Sequence, residues 1–388
     1  MRQVTKAALG LGSLFAFAAV AFPAAADELK QPLWYKPPSA KTMELAKIDD
    51  LSNTVVSDGQ RGEKGVLGSS IQITDEQAAK IKAGNFTVAL SMGWLGDDWA
   101  SEQLIGLKET FGKYGVKVVA ETNADWDDAK QIADLETIAV LKPSLVASIP
   151  LNGQTTASAF KKLAAAGTKV VFIDQAVDGM DPGKDYVSIV SSDNLALGMY
   201  IADELAHAIG GKGEVAAMYF ANDFYVTNLR YIGFLARMEA KYPDVKVVVA
   251  AGHDNPNKGQ EVAQAVLARF PKLNGMYASW SIPAMGAAAA ARVAGRTPAD
   301  FKIAHENFDQ IVAADMAKNG FIAGLSSQRP YDQGVAEAKV GLLALIGEKT
   351  PPYVVVPPLA VNRASLAQGY KTIYRKDLPA EMAADLKK

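Results

Sequence analysis

Residues 86–120 read FTVALSMGWLGDDWASEQLIGLKETFGKYGVKVVA, and they set the pattern for most of the chain. Two short apolar segments, residues 86–91 and 116–120, flank a glycine-containing loop and an amphipathic segment at residues 98–113. Short apolar segments separated by helical ones are typical of buried parallel strands with helices on their faces. We therefore predict a strand–helix–strand unit here.

The same alternation continues along the chain and starts again near residue 214. Further strands are predicted at residues 144–149, 170–173, 214–219, 245–250, 275–278, 302–304 and 322–326. Helices are predicted at residues 127–141, 155–166, 226–241, 258–270 and 283–294. Two successive blocks of this kind predict an α/β fold with two Rossmann-like lobes, each built on a parallel sheet. Ligands collect outside the carboxyl ends of parallel strands, so two facing sheets would form a cleft lined by strand ends.

The N-terminus has the three-part pattern of a signal peptide. Arg2 and Lys6 precede an apolar run at residues 7–22, and small residues follow as far as Ala26. A membrane anchor is the alternative, but this run is shorter than the ~20 residues that a spanning helix needs. We therefore expect residues 1–26 to be cleaved during export to the periplasm.

Composition excludes several classes of protein. The absence of cysteine rules out a lipid-modified cysteine, disulfides and thiolate sites. With 40 Lys+Arg against 42 Asp+Glu, there is no electrostatic case for binding nucleic acid or an anionic membrane. No segment beyond the leader is apolar enough for stable membrane insertion. Residues 27–83 are punctuated by proline, glycine and serine, and we predict an arm packed on the surface of the main body.

The loop after the first predicted strand carries candidate ligand-binding groups. Trp94 and Trp99 bracket the carboxylates of Asp97 and Asp98. An indole face stacks on the C–H face of a sugar, and carboxylates accept hydrogen bonds from hydroxyls. Alternatively, Trp99 packs into the core at the start of a helix that Asp97 or Asp98 caps.

Other predicted strands end in similar polar and aromatic residues. Helix capping alone explains some of the Asp and Asn residues there, but it does not explain Trp280 or Gln328. The candidate ligand-binding residues are Ser91, Trp94, Asp98, Trp99, Asn152, Asp174, Gln175, Asn228, His253, Trp280, Asp309 and Gln328.

From residue 86 to about residue 375 the chain resembles the ribose-type periplasmic sugar-binding proteins, which have the type I solute-binding fold. The residues that carry the resemblance are Ser91 to Trp99, Asp174, Ser192-Asp193-Asn194, Asn228 to Phe234, Asn307-Phe308-Asp309 and Gln328 to Gly334. The resemblance implies a hinge of three crossovers near Ser192, Gln328 and Pro357. Lobe 1 would then comprise residues 84–191 plus 329–357, and lobe 2 residues 192–328 plus 358–388.

The resemblance also implies roles for individual residues. Asp174 and Asp309 match the carboxylates that grip sugar hydroxyls, Gln328 the hinge-side amide and Trp99 the stacking aromatic. The chain departs from the family where Gln175 and Asn228 replace arginines. It departs again at Trp280-Ser281, where the family often has asparagine-aspartate. Fewer guanidinium donors and an added indole favour a ligand that is less polar than ribose or shaped differently.

These features predict a binding protein that delivers a small neutral sugar or sugar alcohol to the membrane permease of an ABC importer. We expect a monomer without cofactor or metal. A non-carbohydrate polar or aromatic ligand and a sensory-receptor partner remain open alternatives. An exported enzyme is disfavoured because the three histidines, His207, His253 and His305, form no catalytic or zinc-binding pattern.

Overall fold

The computed structural model describes residues 31–388, so the predicted signal peptide at residues 1–26 lies outside the described residues. From residue 31 onward, the arm contains two α-helices and one short strand before the main body begins. They are α1 (Ala40–Leu45), β1 (Val66–Leu67) and α2 (Asp75–Ala83).

The first strand–helix block begins at Thr87. Its elements are β2 (Thr87–Met92), α3 (Asp98–Lys113), β3 (Lys117–Asn123), α4 (Asp128–Leu141), β4 (Leu145–Ser148), α5 (Ala157–Ala165), β5 (Lys169–Ile173) and β6 (Ser188–Ser192). Strand β6 was not predicted. Its sequence, SIVSS, is completely buried, but its three serines conceal the apolar pattern of an interior strand.

The second block alternates helices and strands in the same way. Its elements are α6 (Asn194–Ala208), β7 (Gly213–Phe220), α7 (Tyr225–Lys241), β8 (Val245–His253), α8 (Gly259–Arg269), β9 (Gly275–Ala278), α9 (Ser281–Val293), β10 (Lys302–Glu306), α10 (Gln310–Ala317) and β11 (Ile322–Ser327). The chain ends with α11 (Pro330–Leu345), β12 (Tyr353–Val356), β13 (Leu359–Asn362), α12 (Leu366–Tyr374) and α13 (Ala380–Asp385).

The strands form two separate sheets, which confirms the predicted two-lobed α/β fold. Sheet 1 has the order β1-β12-β6-β5-β4-β2-β3, and every pair in it is parallel. Sheet 2 has the order β13-β11-β10-β9-β7-β8, in which only β13 runs antiparallel to its neighbour. The chain passes between the sheets after β6, after β11 and after β12, and these three crossovers form the hinge.

Helices cover both sheets and bury their faces. In lobe 2, α6 and α7 pack closely because Gly198 has no side chain. A Cβ atom at this position would overlap the carbonyl oxygen of Arg230. This close approach holds Arg230 against the hinge, where its side chain is only 1% exposed.

The arm is more closely integrated than a surface attachment. Strand β1 extends sheet 1 by pairing with β12, and α2 packs on α11. At the hinge, the Asp193 carboxylate accepts hydrogen bonds from the backbone N–H groups of Val56 and Ser57, at 2.6 and 3.1 Å. The arm therefore reaches the point where the two lobes meet.

Candidate ligand-binding site

A cavity of about 110 Å³ lies between the lobes at the carboxyl ends of the strands. Its walls come from the loops after β2, β3, β5, β8, β9, β10 and β11, and from the loop after β7 with the first two turns of α7. We call it the tryptophan cavity. It is lined by Trp94, Gly96, Asp97, Trp99, Trp126, Asp174, Phe224, Val226, Thr227, Arg230, Pro256, Trp280, Ser281, Ile282, Asn307, Asp309 and Gln328.

Half of the twelve predicted ligand-binding residues line this cavity. Both lobes contribute, as a cleft between facing sheets requires. These six residues are Trp94, Trp99, Asp174, Trp280, Asp309 and Gln328.

Four indole rings line the cavity in a continuous row. Trp94 stacks on Trp99 with ring centroids 5.3 Å apart and on Trp126 at 4.3 Å. Trp126 in turn lies 6.1 Å from the tilted ring of Trp280, which belongs to the other lobe. Trp99 is only 4% exposed, so the same residue packs into the core and lines the cavity.

Three residues at strand ends have left-handed backbone conformations. The φ angles are 65° at Asp174, 67° at Trp280 and 75° at Asn307. A left-handed conformation of a non-glycine residue costs roughly 1–3 kcal/mol and persists only where the surroundings enforce it. All three side chains line the tryptophan cavity, as does that of Trp126 with φ 64°, so four of the nine non-glycine residues with positive φ in residues 31–388 lie at this site.

Two partly buried carboxylates, Asp97 and Asp309, line the cavity. Asp97 caps α3 by accepting from the Ala100 N–H at 2.8 Å, and the Trp94 Nε1–H donates to it at 3.0 Å. Burial raises the pKa of Asp97. Burial, together with the nearby charges of Asp97 and Asp98, raises the pKa of Asp309 to about 6. Burial therefore disfavours the charged form of both carboxylates, and hydrogen-bond donors on a ligand would stabilise that form.

The deep end of the cavity is a network that joins the lobes. Asp174 accepts from the Ser191 hydroxyl at 2.8 Å, and the Asn194 amide donates to the same hydroxyl oxygen at 2.9 Å. The Arg230 Nε–H donates to Asn194 Oδ1 at 2.8 Å, and the guanidinium lies 3.7 Å from Glu306. Burial raises the pKa of Asp174, and the positive charge of Arg230 opposes that shift.

Three lining residues have buried polar atoms without a hydrogen-bond partner in the described part of the chain. They are Trp99 Nε1, Ser281 Oγ and Gln328 Oε1. The Gln328 amide is oriented because its Nε2 donates to Asn307 Oδ1 at 3.2 Å. A buried polar atom without a partner costs about 1–3 kcal/mol. Trp99 Nε1 and Gln328 Oε1 therefore offer one donor and one acceptor to a small polar molecule, and the Ser281 hydroxyl, which interacts with the Asp309 carboxylate, is a third polar group there.

Three predicted residues lie close to the cavity without lining it. Ser91 is buried in β2, and its carbonyl accepts from the Ser148 hydroxyl at 2.7 Å. Asp98 bridges the lobes through Gln310 N–H at 2.9 Å. His253 is the last residue of β8 rather than a loop residue, and its ring packs behind Trp280 at 6.0 Å.

His253 and Ser279 form a buried pair, with Nε2 and Oγ 2.7 Å apart. Neither side chain lines the tryptophan cavity, and burial lowers the pKa of His253 to about 4. Through the His253 ring, the pair packs against Trp280.

Asn152 and Gln175 line a second, larger cavity of about 700 Å³ next to the first. Asn228, on α7, does not line this cavity, but its side-chain amide donates to the carboxylate of Asp223, which does, at 2.5 Å. The roles assigned to these three residues from the sequence stay predictions.

Several lining residues were missed by sequence reasoning. Ser281 follows the predicted residue Trp280, and Asn307 lies two residues before the predicted residue Asp309, so proximity in sequence is a signal for both. Trp126 follows a strand in the same way as Trp94, which was a usable signal. Thr227 and Arg230 lie on α7, and only the packing of that helix brings them into the cleft.

Residues 31–388 contain no cluster of His, Cys, Asp and Glu side chains that could hold a metal ion. Over the same range, none of the helices is both long and apolar enough to cross a membrane.

Comparisons with known proteins agree with this architecture. The family described as periplasmic binding protein domain matches residues 88–349. The D-ribose/D-allose-binding protein of Pseudomonas aeruginosa is 27% identical over 225 residues, covering 57% of this chain and 69% of the relative. The ribose import binding protein of Salmonella typhimurium is 26% identical over 285 residues, covering 73% and 92%.

Solved structures share the fold. An ABC transporter solute-binding protein from Agrobacterium vitis, bound with alpha-D-tagatopyranose, has a TM-score of 0.68 at 24% identity, covering 76% of this chain and 99% of that one. A carbohydrate transporter solute-binding protein from Agrobacterium radiobacter, in complex with D-arabinose, has a TM-score of 0.66 at 25% identity, covering 74% and 99%. The predicted resemblance is confirmed, and the chain belongs to the periplasmic binding protein domain family.

Proposed function

We propose that this chain captures a small neutral sugar or sugar alcohol in the tryptophan cavity and delivers it to the membrane permease of an ABC importer. The main support is the composition of the cavity. Four indole rings, Trp94, Trp99, Trp126 and Trp280, line the same cavity as the polar groups of Asp309 and Gln328. Flat apolar faces combined with hydroxyl-binding groups suit a molecule with one C–H face and several hydroxyls.

The mechanism that we propose is closure of the lobes around the ligand. A ligand in the cavity contacts Asp174 from lobe 1 and Asp309 from lobe 2, so it favours the state in which both are close. Selectivity comes from the buried polar groups, because a molecule that leaves one of them without a partner loses about 1–3 kcal/mol.

Export to the periplasm and action as a monomer are further parts of the proposal. The leader-like residues 1–26 support export. The family's description as periplasmic and the import function in a relative's name support the same location and the ABC permease as partner. The relatives are binding proteins, which supports a role in binding rather than catalysis.

A thermal-shift screen of pentoses, hexoses, tetritols and pentitols, followed by calorimetry on the hits, tests this function. Asp174→Ala and Asp309→Ala should each abolish binding without unfolding the protein, whereas the exposed control Asp377→Ala should bind normally. Normal affinity in both cavity variants would show that the site assignment is wrong.

The cavity walls also favour a second candidate, a non-carbohydrate ligand with an aromatic or apolar face. Four indoles and Phe224 make the lining more apolar than hydroxyls alone require. Stabilisation by aromatic compounds, with no response to any polyol in the same screen, would support this candidate over the first.

A further inference from the structure

The second cavity adjoins the tryptophan cavity, and the two share Trp126 and Phe224 as lining residues. It lies at the same interlobe cleft, with walls from the loops after β4, β5 and β7. Because the two cavities have lining residues in common, the cleft contains two neighbouring compartments. We call the second one the polar chamber and define it by Gln60, Asn152, Gln154, Gln175, Asn222 and Asp223.

The polar chamber is rich in amides and carboxylates. Asp128, Asp178 and Asp223 supply carboxylates, while no lysine, arginine or histidine is among the described residues that line it. Amides and carboxylates match the hydroxyls of a neutral molecule. An anionic group would meet only negative charges there, so the chamber disfavours acidic ligands.

Several of these polar groups are held in place. Asn152 Oδ1 accepts from the N–H groups of Gln154 and Thr155, at 2.9 and 3.2 Å, so its NH2 group is oriented. The Gln175 amide is 6% exposed and donates to the Pro150 carbonyl at 3.0 Å. Such fixed groups resemble a binding surface more than a solvated loop.

The N-terminal arm supplies a wall of the same chamber. The Ala176 N–H donates to Gln60 Oε1 at 3.1 Å, and the Tyr225 hydroxyl donates to the Asp58 carbonyl at 3.0 Å. Ala176 belongs to lobe 1 and Tyr225 to lobe 2, so the arm joins the two lobes beside the chamber. This wall lies outside residues 88–349, the range that matches the family.

We propose that the cleft binds a neutral saccharide of two units, with one unit in the tryptophan cavity and the second in the polar chamber. Trp126 and Phe224 would contact the linkage between them. This inference rests on the proposed function and makes it more specific, since it assigns the ligand's size and the absence of negative charge.

The test is calorimetry on the full mature chain with matched pairs of sugars: xylose with xylobiose, and glucose with cellobiose and maltose. At least one disaccharide should bind about tenfold more tightly than its monosaccharide. The acidic disaccharide cellobiouronic acid should bind more weakly than cellobiose. Asn222→Ala and Gln154→Ala, both at exposed positions of the chamber, should weaken disaccharide binding about fivefold while monosaccharide binding stays unchanged.

Gln264→Ala, an exposed amide on α8 away from the cleft, is the matched control and should change neither affinity. If monosaccharides bind and no disaccharide binds more tightly, the two-unit inference is wrong and the proposed function stands. If no sugar or polyol of either size binds, the proposed function itself fails. Equal loss of both affinities in the chamber variants would also contradict the inference.

Discussion

The backbone N–H of Asp98 donates to Oδ1 of Asp309 across the cleft, at 3.2 Å. Asp98 begins α3 in lobe 1, and Asp309 precedes α10 in lobe 2. The Asp98 carboxylate also accepts hydrogen bonds from two groups of lobe 2, the Gln310 N–H at 2.9 Å and the Tyr374 hydroxyl at 2.7 Å. One residue of lobe 1 therefore makes three hydrogen bonds to lobe 2, and the lobes are closed on each other here.

Removing the Asp98 carboxylate should weaken ligand binding by favouring the open state. Asp98→Ala loses two of the three interlobe bonds, and we expect about a tenfold rise in Kd, or ~1.4 kcal/mol. Asp98→Asn keeps an acceptor oxygen and should lose less. Calorimetry measures the affinity, and small-angle scattering should show a larger radius of gyration for Asp98→Ala without ligand.

Glu109→Ala is the control for this prediction. Glu109 lies on the same helix and accepts from the Tyr331 hydroxyl at 2.8 Å within lobe 1. Its loss should leave Kd and the radius of gyration unchanged. A change of the same size in both variants would contradict the role given to Asp98.

Replacing Trp99 by Phe should separate binding from stability. The substitution keeps an aromatic ring and removes the Nε1–H, which has no partner in the described part of the chain. Loss of the N–H should therefore lower affinity by about 5–30-fold, while the cavity left by the smaller ring should cost roughly 1–2 kcal/mol of stability. Paired calorimetry and urea unfolding measure both, and an unchanged Kd would exclude Trp99 Nε1 as a ligand donor.

Asp309→Asn should stabilise the ligand-free protein at pH 8 and have little effect near pH 4. Burial raises the pKa of Asp309 from 3.8 to about 6, so the folded state binds a proton more tightly than the unfolded state does. The contribution of Asp309 to the free energy of unfolding therefore falls as pH rises from about 4 to about 6 and is then constant.

Asparagine has no charge to bury. The free energy of unfolding of Asp309→Asn should therefore exceed that of the wild type by an amount that grows across that pH range, to about 3 kcal/mol at most. Thermal or urea unfolding of both proteins between pH 4 and pH 8 measures the difference. A difference that is the same at every pH would show that the Asp309 carboxyl is not perturbed by burial.

Asp193→Ala should detach the arm and destabilise the whole protein. The buried carboxylate accepts from Val56 N–H, Ser57 N–H, the Ser57 hydroxyl and the Ala196 N–H that begins α6. Losing these bonds and the helix cap should cost roughly 3–5 kcal/mol. Limited proteolysis should then cleave within residues 31–65 before the body, whereas Asp50→Ala, at an exposed arm position, should leave both stability and the cleavage pattern unchanged.

The parallel sheets could be predicted from the sequence because a strand that is buried on both faces consists mostly of consecutive apolar residues. Strand β2 and helix α3 follow the predicted bounds within a residue or two. Strand β6 was missed because its serines are buried by neighbouring strands, which local composition does not show. The crossovers near Ser192 and Gln328 came from the resemblance, and the sheet order confirms them as part of the fold.

Some residues of the site could also be predicted from the sequence, and others are placed only by tertiary contacts. Trp94, Asp174 and Asp309 could be predicted because the chain leaves each strand at the same edge of a parallel sheet, so their positions follow from local order. Contacts between segments far apart in sequence bring Trp126 and Arg230 to the tryptophan cavity. Contacts of the same kind place Asn152 and Gln175 in the polar chamber. Closure through Asp98 and Asp309, the pKa of Asp309 and the arm's path across the hinge depend on distance and burial. Only the folded chain has those properties, because they are created when the two lobes meet.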